Sequence, residues 1–535
     1  MSKFIKNFLA VCLCLTICFG YACGKTDDDS DSPEENIVLV AKSEEITIKK
    51  GGFAYAYFTL TIDGVEIKNS QIEFSSENSE IATVTSYGVI STKVKGISAG
   101  ETNVVAKYGN KTAITKVIVE DEKAKDTAEL SIGDDFVGLI VGAEKKLTAQ
   151  AKKNGVVDES ATLVWSSSDN KVATVSNGTI TAVACGEATI KAEYGNVSDF
   201  VKVYVAEELT SNNVNSFDEK YVNIFGRSYT ENNELKLHHA SNAIEVGFIG
   251  SSLSVNLKTT ALSYMRVYID GKETEDRIQI TSSKNSYSIA SGLLDGYHMA
   301  RIVKTTEMQE AVWTIFSFEA DKFASVPEKS DLRIEFIGDS ITAGYGSLGS
   351  SGASRTVHNS DSTRTYAYYT AQKLNADYSV VAWSGICVKA FYWVTDRNML
   401  SLYPQLYAVG NDYSFGFNPN VVVLNLGTND SGYLSNHPEY ETQFSTDYKE
   451  LLQLIRTKNP QAYIICLYGM MGTDEKIDNG IKTAVSSMND SRIVYNPFGT
   501  IVENESGAAG HPSATAQNGW AEQLASYIKN IEGEI

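Results

Sequence analysis

Alternating apolar and polar positions run through most of the chain between residues 37 and 325. Runs such as "AIEVGFIG", "SLSVNLKTT" and "MRVYIDGKE" keep a period of two and are separated by Gly, Asn and Ser. Such runs are typical of half-buried β-strands, and the Asp-Gly pair at 270–271 is a hairpin signal. The pattern therefore predicts that this part of the chain is all-β, including a β-rich region over residues 211–325.

The periodicity changes at Leu332. Short apolar runs, "LRIEFIG", "YSVVAWSG", "VVVLNLG" and "YIICLYG", now alternate with helical segments such as "TYAYYTAQKLNA", "DYKELLQLIRTKN" and "WAEQLASYIKNI". Strands that alternate with helices predict a parallel sheet covered by helices. We therefore expect a multidomain chain, in which an all-β N-terminal part precedes a three-layer α/β domain over residues 331–535.

Two segments of the β-rich part repeat. The segment "FSSENSEIATVTSYGVI" (74–90) aligns with "WSSSDNKVATVSNGTI" (165–180), and each continues to "AKYGN" or "AEYGN". These segments resemble bacterial Ig-like modules of group 2, which implies two small β-sandwiches over residues 37–121 and 127–206. Modules of this kind usually act as spacers or weak adhesive units, and a spacer role is the simpler expectation here.

Composition and charge narrow the classes of partner. The 535 residues are 43% hydrophobic and 21% charged, as in folded globular proteins, and the formal net charge is −20. Such negative charge argues against a nucleic-acid partner. Cys185, Cys387 and Cys466 lie far apart, with no metal-binding spacing and no disulfide pattern. We therefore expect no metal and no cofactor, and nothing in the sequence indicates a protein partner.

The N-terminus resembles a bacterial lipoprotein signal. Two lysines precede the apolar run "FLAVCLCLTICFG", which is short for a membrane span and typical of a signal peptide. Small residues then precede Cys23, and the acidic stretch "GKTDDDSD" follows it. The resemblance implies a signal peptide over 1–22, a lipid on Cys23 as the only membrane attachment and an acidic tether over 23–36. It also implies an extracytoplasmic location, on the outer membrane or the cell surface. Ordinary secretion is the alternative.

In α/β sheets of this kind, functional side chains gather at the carboxyl ends of the strands. Three of the four apolar runs end in a polar or glycine-rich group, and a histidine precedes the last helical segment. The groups are Gly338-Asp339-Ser340, Ser384-Gly385, Gly427-Thr428-Asn429-Asp430 and the loop "GAAGHPSA" with His511. Although these groups are far apart in sequence, they can converge on one edge of the sheet.

These residue types suit acyl transfer, which needs a nucleophile, a base within hydrogen-bond reach and donors for the developing oxyanion. Ser340 can be the nucleophile and His511 the base. The N–H groups of Ser340 and Gly385 and the amide of Asn429 can be the donors. Each has a simpler explanation alone, such as a helix N-cap for Ser340, a turn residue for Asn429 and an exposed loop residue for His511. Their joint occurrence favours catalysis.

The blocks "GDSITAGYG", the lone Gly385, "GTND" and "HP" fall in the order found in SGNH hydrolases. From about position 211 onward the chain is similar to carbohydrate esterase family 2, acetyl esterases of plant polysaccharides that join a jelly roll to an SGNH domain. The similarity includes "GLLDGYHMARIVKTTE", "AWSGI" and "NLGTND". It implies a jelly roll over 211–325, Ser340 as nucleophile, His511 as general base, Gly385 and Asn429 as oxyanion donors, and no cofactor.

The sequence departs from the family pattern at one position. Most SGNH hydrolases have an aspartate three residues before the histidine, and here that residue is Ala508. Some members of carbohydrate esterase family 2 work as a Ser–His dyad whose histidine is held by a backbone carbonyl, and the resemblance implies the same here. Glu503 and Glu505 are alternative sources of an orienting carboxylate. Without one, we expect lower activity than with a full triad.

Several residues near these motifs have structural explanations. Asp339 and Asp430 are expected to stabilise turns and helices rather than to react. His298 is expected to be structural, and His358 and His437 are expected at the surface. Four aromatic residues could stack on sugar rings, although core packing is equally compatible with each: Tyr345, Trp383, Tyr392 and Trp393.

Three hypotheses for function follow. The first is a cell-surface serine esterase that removes O-acetyl groups from an acetylated polysaccharide or oligosaccharide of hemicellulose or another type. The second, motivated by Ala508, is a glycan-binding surface protein with a weak or inactive hydrolase-like domain. The third is an esterase for lipid or other acyl esters. The predicted jelly roll and tether favour a carbohydrate, and acetate release by the purified protein separates the first hypothesis from the second.

Overall fold

The computed structural model describes residues 36–67, 72–87, 90–121, 127–209, 213–407, 411–497, 499 and 505–535. The chain divides into two compact units, Met1–Asp126 and Thr127–Ile535. The predicted signal peptide, Cys23 and Glu503 lie outside the described residues. Within the described ranges, none of the helices combines the length and the apolar character needed to cross a membrane.

The first unit folds as a β-sandwich because its strands alternate buried and exposed side chains. Its strands are β1 (Ile37–Ala41), β2 (Glu45–Lys49), β3 (Phe53–Ile62), β4 (Val65–Glu66), β5 (Glu73–Ser76), β6 (Ala82–Ser86), β7 (Ser91–Gly96), β8 (Gly100–Tyr108) and β9 (Lys111–Glu120). One sheet has the order β1-β3-β7-β6 with β4 beside β3, and the other has the order β2-β9-β8-β5. Phe58 and Leu60 on β3 are buried in the core, whereas Tyr57 between Ala56 and Phe58 is exposed.

The second unit begins with a sandwich of the same kind. Its strands are β10 (Ala128–Ile132), β11 (Phe136–Ile140), β12 (Glu144–Lys146), β13 (Ala149–Lys153), β14 (Val156–Val157), β15 (Val164–Ser167), β16 (Ala173–Ser176), β17 (Thr179–Ala182), β18 (Gly186–Tyr194) and β19 (Val197–Ala206). The sheets are β11-β19-β18-β15, β10-β13-β14 and β12-β17-β16. In each sandwich the last strand pairs antiparallel with the strand before it and parallel with an early strand, β2 or β11.

A jelly roll of two antiparallel sheets follows. Its strands are β20 (Val222–Phe225), β21 (Ser228–Glu231), β22 (Glu234–Leu237), β23 (Ala243–Ile249), β24 (Leu253–Thr259), β25 (Ser263–Ile269), β26 (Lys272–Glu273), β27 (Ile278–Ile280), β28 (Ser286–Ala290), β29 (Tyr297–Lys304), β30 (Trp313–Glu319) and β31 (Lys322–Ala324). One sheet has the order β20-β23-β29-β25-β26, in which β27 also pairs with β25 and β31 also pairs with β23. The other sheet has the order β21-β22-β30-β24-β28. Trp313 is fully buried between them, and its indole N–H donates to Ser263 Oγ at 2.8 Å.

The C-terminal domain is the three-layer α/β structure that the periodicity predicted, so the predicted fold class is confirmed. Its strands are β32 (Arg333–Gly338), β33 (Asp377–Ala382), β34 (Gln405–Tyr407), β35 (Asn411–Asp412), β36 (Val421–Asn425), β37 (Tyr463–Leu467) and β38 (Ile493–Tyr495). Its helices are α1 (Ser340–Ala343), α2 (Tyr366–Leu374), α3 (Met399–Leu402), α4 (Thr428–Leu434), α5 (Tyr440–Lys458), α6 (Glu475–Ser487) and α7 (Ala514–Asn530).

The parallel sheet has the order β33-β32-β36-β37-β38, and β34 and β35 form a separate two-stranded sheet. Successive residues of β32 face opposite sides of the sheet. Phe336 joins the core formed with α2 and α7, whereas Ile337 joins the core formed with α5 and α6. The sheet is therefore covered on both faces, and its loops at the carboxyl end remain to form a site.

The jelly roll and the α/β domain share one of these cores. Phe225, Tyr268 and Val303 of the jelly roll pack in the same cluster as Phe336. Polar contacts cross the boundary as well, since Arg227 pairs with Glu335 at 3.1 Å inside the protein. Because a continuous core joins them, the jelly roll can contribute residues to a site on the α/β domain.

The second sandwich packs against the jelly roll through a smaller contact. Tyr204 on β19 contacts Tyr297 on β29, and its hydroxyl donates to the carbonyl of Val326 at 2.9 Å. A Cβ at Gly138 would overlap the ring of Tyr297, so the close approach of the two domains requires glycine there. Three domains of the second unit thus form a contiguous body.

Candidate active site

The strand–helix turn at 338–340 places Ser340 at the start of α1, where it is only 6% exposed. Asp339 is the N-cap, and its Oδ1 accepts a hydrogen bond from Ile341 N–H at 3.0 Å. A Cβ at Gly338 would overlap Thr342 Oγ1, so the tight turn needs a glycine. The strand ladder and the helix cap therefore hold the serine in one position.

His511 contacts Ser340, although the two residues are 171 positions apart in the sequence. Its Nε2 lies 2.8 Å from Ser340 Oγ, and its Nδ1 lies 3.1 Å from the carbonyl oxygen of Ala509. Because a carbonyl only accepts hydrogen bonds, Nδ1 carries the proton and the unprotonated Nε2 accepts from the serine hydroxyl. This is the Ser–His arrangement that the family resemblance implied.

The loop before His511 is held by its backbone. Ala509 has a left-handed conformation with φ 52°, which costs an alanine about 1–2 kcal/mol. Its N–H donates to Ala353 O at 2.8 Å, and Gly507 N–H donates to the carbonyl of His511 at 2.6 Å. These contacts fix the direction of the Ala509 carbonyl, which in turn fixes the imidazole ring.

The position of the usual aspartate is close-packed. Ala508 is fully buried, and its N–H donates to Gly346 O at 2.9 Å. A Cβ at Gly349 would overlap the methyl group of Ala508, which leaves little room for a larger side chain. Among the described residues, the carboxylate of Glu505 makes no hydrogen bond to His511. Glu503 lies outside the described residues.

Gly385 and Asn429 follow the two strands that flank the nucleophile turn, β33 and β36. Gly385 has φ +83°, and a Cβ there would lie 2.9 Å from Trp393 Cβ. The amide nitrogen of Asn429 donates to Ile386 O at 3.1 Å and to Asp339 Oδ2 at 3.4 Å. The structure thus brings all four predicted polar groups to one edge of the sheet, and the oxyanion roles of Gly385 and Asn429 stay predictions.

Asp339 and Asp430 are buried carboxylates with structural partners. Burial raises the pKa of each to about 7. Asp430 accepts Val388 N–H at 3.2 Å and the Tyr440 hydroxyl at 3.3 Å, which ties α4 to the loop that carries Gly385. Their contacts are those expected of residues that stabilise a helix start and a loop.

The surroundings of His511 favour the neutral form of its imidazole. Burial is the main cause that lowers its pKa below the ordinary value, and the positive charge of Arg355 lowers the pKa further. The hydrogen bond to Ala509 acts in the opposite direction. Tyr345 lies against the imidazole with ring centroids 4.5 Å apart, and the Arg355 guanidinium lies 4.6 Å from the Tyr345 ring centre. The Tyr345 ring therefore packs against His511.

The other three predicted aromatic residues differ in their exposure and in their neighbours. Trp393 is 72% exposed and lies against Gly385. Tyr392 is half-buried between Trp393 and Tyr433, at centroid distances of 4.9 and 6.2 Å. Trp383 is half-buried, with the Arg397 guanidinium 4.3 Å from its ring centre. Of these three side chains, Trp393 offers the largest exposed face.

Sequence reasoning missed four residues at this site. Phe391, in the same stretch as Trp393, is 52% exposed, and Ala509 supplies the carbonyl that orients His511. Arg355 lies over Tyr345, and the buried Glu307 of the jelly roll accepts Ser384 N–H at 3.1 Å. The sequence gives no local signal for Arg355 or Ala509, and Phe391 stands out only as part of the aromatic stretch "FYW".

The three other histidines named in the sequence analysis lie elsewhere. His298 bridges Asp270 Oδ2 and Leu294 O at 2.7 Å each. His358 is exposed beside Tyr264, and His437 stacks on Tyr433 with ring centroids 4.2 Å apart. No cluster of His, Cys, Asp or Glu suited to a metal ion occurs in the part of the chain that the structure describes.

Three segments of the chain match known families. Residues 336–532 match the GDSL-like Lipase/Acylhydrolase family, residues 224–327 match Carbohydrate esterase 2 N-terminal, and residues 128–205 match Bacterial Ig-like domain (group 2). The second sandwich, the jelly roll and the α/β domain therefore each match the model of a known family.

Two curated relatives share the C-terminal part. Cellulase/esterase CelE of Acetivibrio thermocellus is 31% identical over 322 residues, which is 57% of this chain and 39% of that protein. An acetylxylan esterase / glucomannan deacetylase of Cellvibrio japonicus is 27% identical over 314 residues, which is 54% of this chain and 84% of that protein. The chain thus spans less than half of the length of the first relative and most of the second.

Solved structures show the same architecture. A family two carbohydrate esterase from Clostridium thermocellum, in complex with cellohexaose, is 29% identical with a TM-score of 0.55, and the match covers 59% of this chain and 100% of that one. An acetyl xylan esterase from Butyrivibrio proteoclasticus, at 23% identity and a TM-score of 0.56, covers 62% of this chain and 100% of that one, and shows the shared fold. Residues 224–327 and 336–532 therefore match the carbohydrate esterase 2 N-terminal and GDSL-like lipase/acylhydrolase families, and together they share the fold of a solved family two carbohydrate esterase.

Proposed function

We propose that this protein is a serine esterase that removes O-acetyl groups from glycans with Ser340 as nucleophile and His511 as general base. The observation that carries the proposal is the 2.8 Å contact between Ser340 Oγ and His511 Nε2, with Nδ1 held by Ala509 O. This geometry supports acyl transfer because the base is in the correct tautomer and within reach of the hydroxyl. The relatives named as esterases support the acetyl substrate.

The reaction starts when His511 Nε2 takes the proton of Ser340 as Oγ attacks the acetyl carbonyl. The oxyanion that forms accepts hydrogen bonds from the N–H groups of Ser340 and Gly385 and from the Asn429 amide, which exchanges its 3.4 Å bond to Asp339 for the oxyanion. His511 then gives its proton to the sugar oxygen as the bond to the acetyl carbon breaks. Water, activated by the same imidazole, hydrolyses the acetyl-serine and releases acetate.

The substrate that fits best is an acetylated plant polysaccharide. The exposed face of Trp393 lies beside Gly385, and Phe391, two residues earlier in the chain, is also exposed. Both rings can stack on sugar rings of the substrate. One relative is named an acetylxylan esterase / glucomannan deacetylase, and one structural neighbour was solved with cellohexaose, a β-linked chain. Acetylated xylan and glucomannan are therefore the first substrates to test.

Two alternative functions predict different results when acetate release is measured. A glycan-binding protein without turnover is motivated by Ala508, but the paired Ser340 and His511 argue for chemistry. An esterase for non-carbohydrate acyl esters would use the same residues, since they contact only the acyl group. It would release acetate from a small aryl ester and leave acetylated glycans intact.

We also propose that the protein is exported and anchored through lipid on Cys23. The support is the N-terminal pattern of lysines, apolar run, cysteine and acidic tether. Radiolabelled palmitate should enter the wild-type protein in cells and should be absent from Cys23→Ala. Equal labelling of both proteins would refute the anchor.

The first test of activity measures acetate release by residues 23–535 from acetylated xylan, acetylated glucomannan and an aryl acetate. We expect release from at least one glycan and a loss of at least about 1,000-fold in Ser340→Ala. Ser347→Ala is the matched control, because this buried serine donates to Asp361 O at 3.1 Å in the neighbouring turn. Unchanged turnover in folded Ser340→Ala would refute the proposal.

A further inference from the structure

Glu307 is the point at which the jelly roll reaches the active site. It follows β29 and is 1% exposed. Its Oε2 accepts Ser384 N–H at 3.1 Å, and Ser384 directly precedes Gly385, the predicted oxyanion donor. A carboxylate from one domain therefore holds the backbone of a catalytic loop on another.

The same carboxylate is connected to the proposed general base, His511, through two intervening side chains. Glu307 Oε1 pairs with Arg355 Nη2 at 3.4 Å, and Glu310 contacts the same guanidinium group. Arg355 lies 4.6 Å from the centre of the Tyr345 ring, whose other neighbour is His511 at 4.5 Å. The contacts of Glu307 thus extend to both the oxyanion loop and the histidine.

Glu307 is itself firmly positioned. Gln309 donates to its Oε2 at 2.6 Å, its own N–H donates to Glu310 Oε2 at 3.3 Å, and Lys304 Nζ donates to its carbonyl at 3.2 Å. A buried carboxylate is expensive unless such partners surround it, and buried ion pairs seldom add net stability. A role in geometry explains this arrangement better than a role in stability.

We propose that Glu307 is a positioning residue of the esterase site, so that the jelly roll supplies part of the machinery for acyl transfer. Its carboxylate holds Ser384, and with it the N–H of Gly385, and through Arg355 it supports the Tyr345 face of His511. The inference rests on the proposed function. It implies that the α/β domain is catalytically complete only when joined to the jelly roll.

The test compares Glu307→Ala, Glu307→Gln and a matched control in the full mature chain. Glu245 is the control, because it is a buried jelly-roll carboxylate that bonds Asn223 at 2.9 Å and Arg301 at 2.7 Å instead. With an aryl acetate, Glu307→Ala should lower kcat by about 100-fold with KM within about threefold, as expected for a displaced oxyanion donor. Glu307→Gln keeps an acceptor for Ser384 but loses the charge that pairs with Arg355, so its kcat should fall several-fold and stay within about tenfold of wild type.

Glu245→Gln should lower the melting temperature without lowering kcat. Wild-type kcat in a folded Glu307→Ala would overturn the inference, and so would an equal loss of kcat in Glu245→Gln. If Glu307→Ala does not fold, Glu307→Gln decides alone: a kcat several-fold below wild type supports the inference, and an unchanged kcat overturns it.

A second measurement separates this inference from the proposed function. An aryl phosphonate ester labels an activated serine: the Ser340 Oγ–P bond forms, aryloxide leaves, and the hydroxyl proton passes to His511. Labelling needs no acetyl substrate, so it works even if the wild-type protein releases no acetate and the proposed function fails. Slower labelling of Ser340 in Glu307→Ala than in Glu245→Gln would support the inference, and equal rates would overturn it.

Discussion

Ser340 and His511 lie 2.8 Å apart, but the chain holds them in different ways. Ser340 stands on a strand–helix turn, where the ladder of β32, the Asp339 cap and the close packing of Gly338 fix the backbone. His511 lies in an irregular loop, where a left-handed residue and hydrogen bonds to distant segments fix the carbonyl that orients it. The nucleophile thus depends on local structure and the base on tertiary contacts.

This difference implies different responses to mutation. A change in the serine turn meets backbone and side chains that cannot move apart, so it should cost both folding and activity. A change in the histidine loop should act mainly through the direction and the pKa of the imidazole. The predictions below test each side, beginning with the largest expected effect.

Gly338→Ala should be the most damaging of these changes. The new Cβ would overlap Thr342 Oγ1 and lie 3.0 Å from Asn425 O. We expect a loss of about 3 kcal/mol in the free energy of unfolding and of at least about 100-fold in kcat. Denaturant unfolding and aryl acetate turnover measure the two effects.

Gly519→Ala is the control, since its Cβ would meet no atom within 4 Å inside α7. It should leave activity unchanged and stabilise the protein by up to about 1 kcal/mol, because alanine is the better helix former. A Gly338→Ala protein as stable and active as Gly519→Ala would contradict the steric argument.

Ala508→Asp restores the residue usual in SGNH hydrolases and should nevertheless lower activity. The methyl group of Ala508 packs on Gly346 and Gly349, so a carboxylate there would be buried without a prepared partner. We expect a cost of about 2 kcal/mol in stability and a fall in kcat of roughly tenfold. Ala508→Asn separates the effect of size from that of charge. A kcat above wild type would show that the aspartate can reach His511.

The pH dependence reports the environment of His511. Because burial and Arg355 lower its pKa, the imidazole stays a base at lower pH, and the acid limb of kcat/KM should lie below the ordinary value of 6.5. Arg355→Gln removes a positive charge, so the pKa should rise and the acid limb should move to higher pH, by less than about one unit. Arg456→Gln, whose parent side chain pairs with Asp490 at 2.8 Å, should leave the limb in place. A shift to lower pH in Arg355→Gln would contradict the assignment.

Ala509→Gly should have the smallest effect. Glycine adopts φ 52° without strain and retains the carbonyl that holds His511. The relief of strain and the added entropy of the unfolded chain oppose each other, so stability should change by less than about 1 kcal/mol. A kcat within twofold of wild type is expected, and a large loss would mean that the methyl group, not the carbonyl, matters.

Local sequence patterns were enough to predict the layers of the fold and the place of the nucleophile. The apolar runs that became β32, β33, β36 and β37 are buried parallel strands, and "GDS" follows the first of them. The strand, the turn and the start of the helix lie within a few residues of one another, so the local sequence is enough to predict the position of the serine. His511 could be named because it precedes a helix with clear periodicity.

The parts that sequence could not supply depend on packing between distant segments. Glu307 and Ser384 are in contact although they are 77 positions apart in the sequence, and Arg355 and Glu307 are in contact although they are 48 positions apart. Periodicity does not show which jelly-roll loop will lie on the α/β domain, nor that Trp393 stays exposed while Trp383 is half-buried. The carbonyl that orients His511 was implied by family resemblance, and its identity as Ala509 O required the loop conformation.

The measurement that tests the catalytic pair most directly is a double-mutant cycle on acetate release with Ser340→Ala, His511→Ala and the double variant. If Ser340 and His511 act as one unit, each single variant and the double variant should all lose kcat by a similar factor, about 10,000-fold or more. Losses that multiply in the double variant, or a single variant that keeps wild-type kcat, would contradict the dyad.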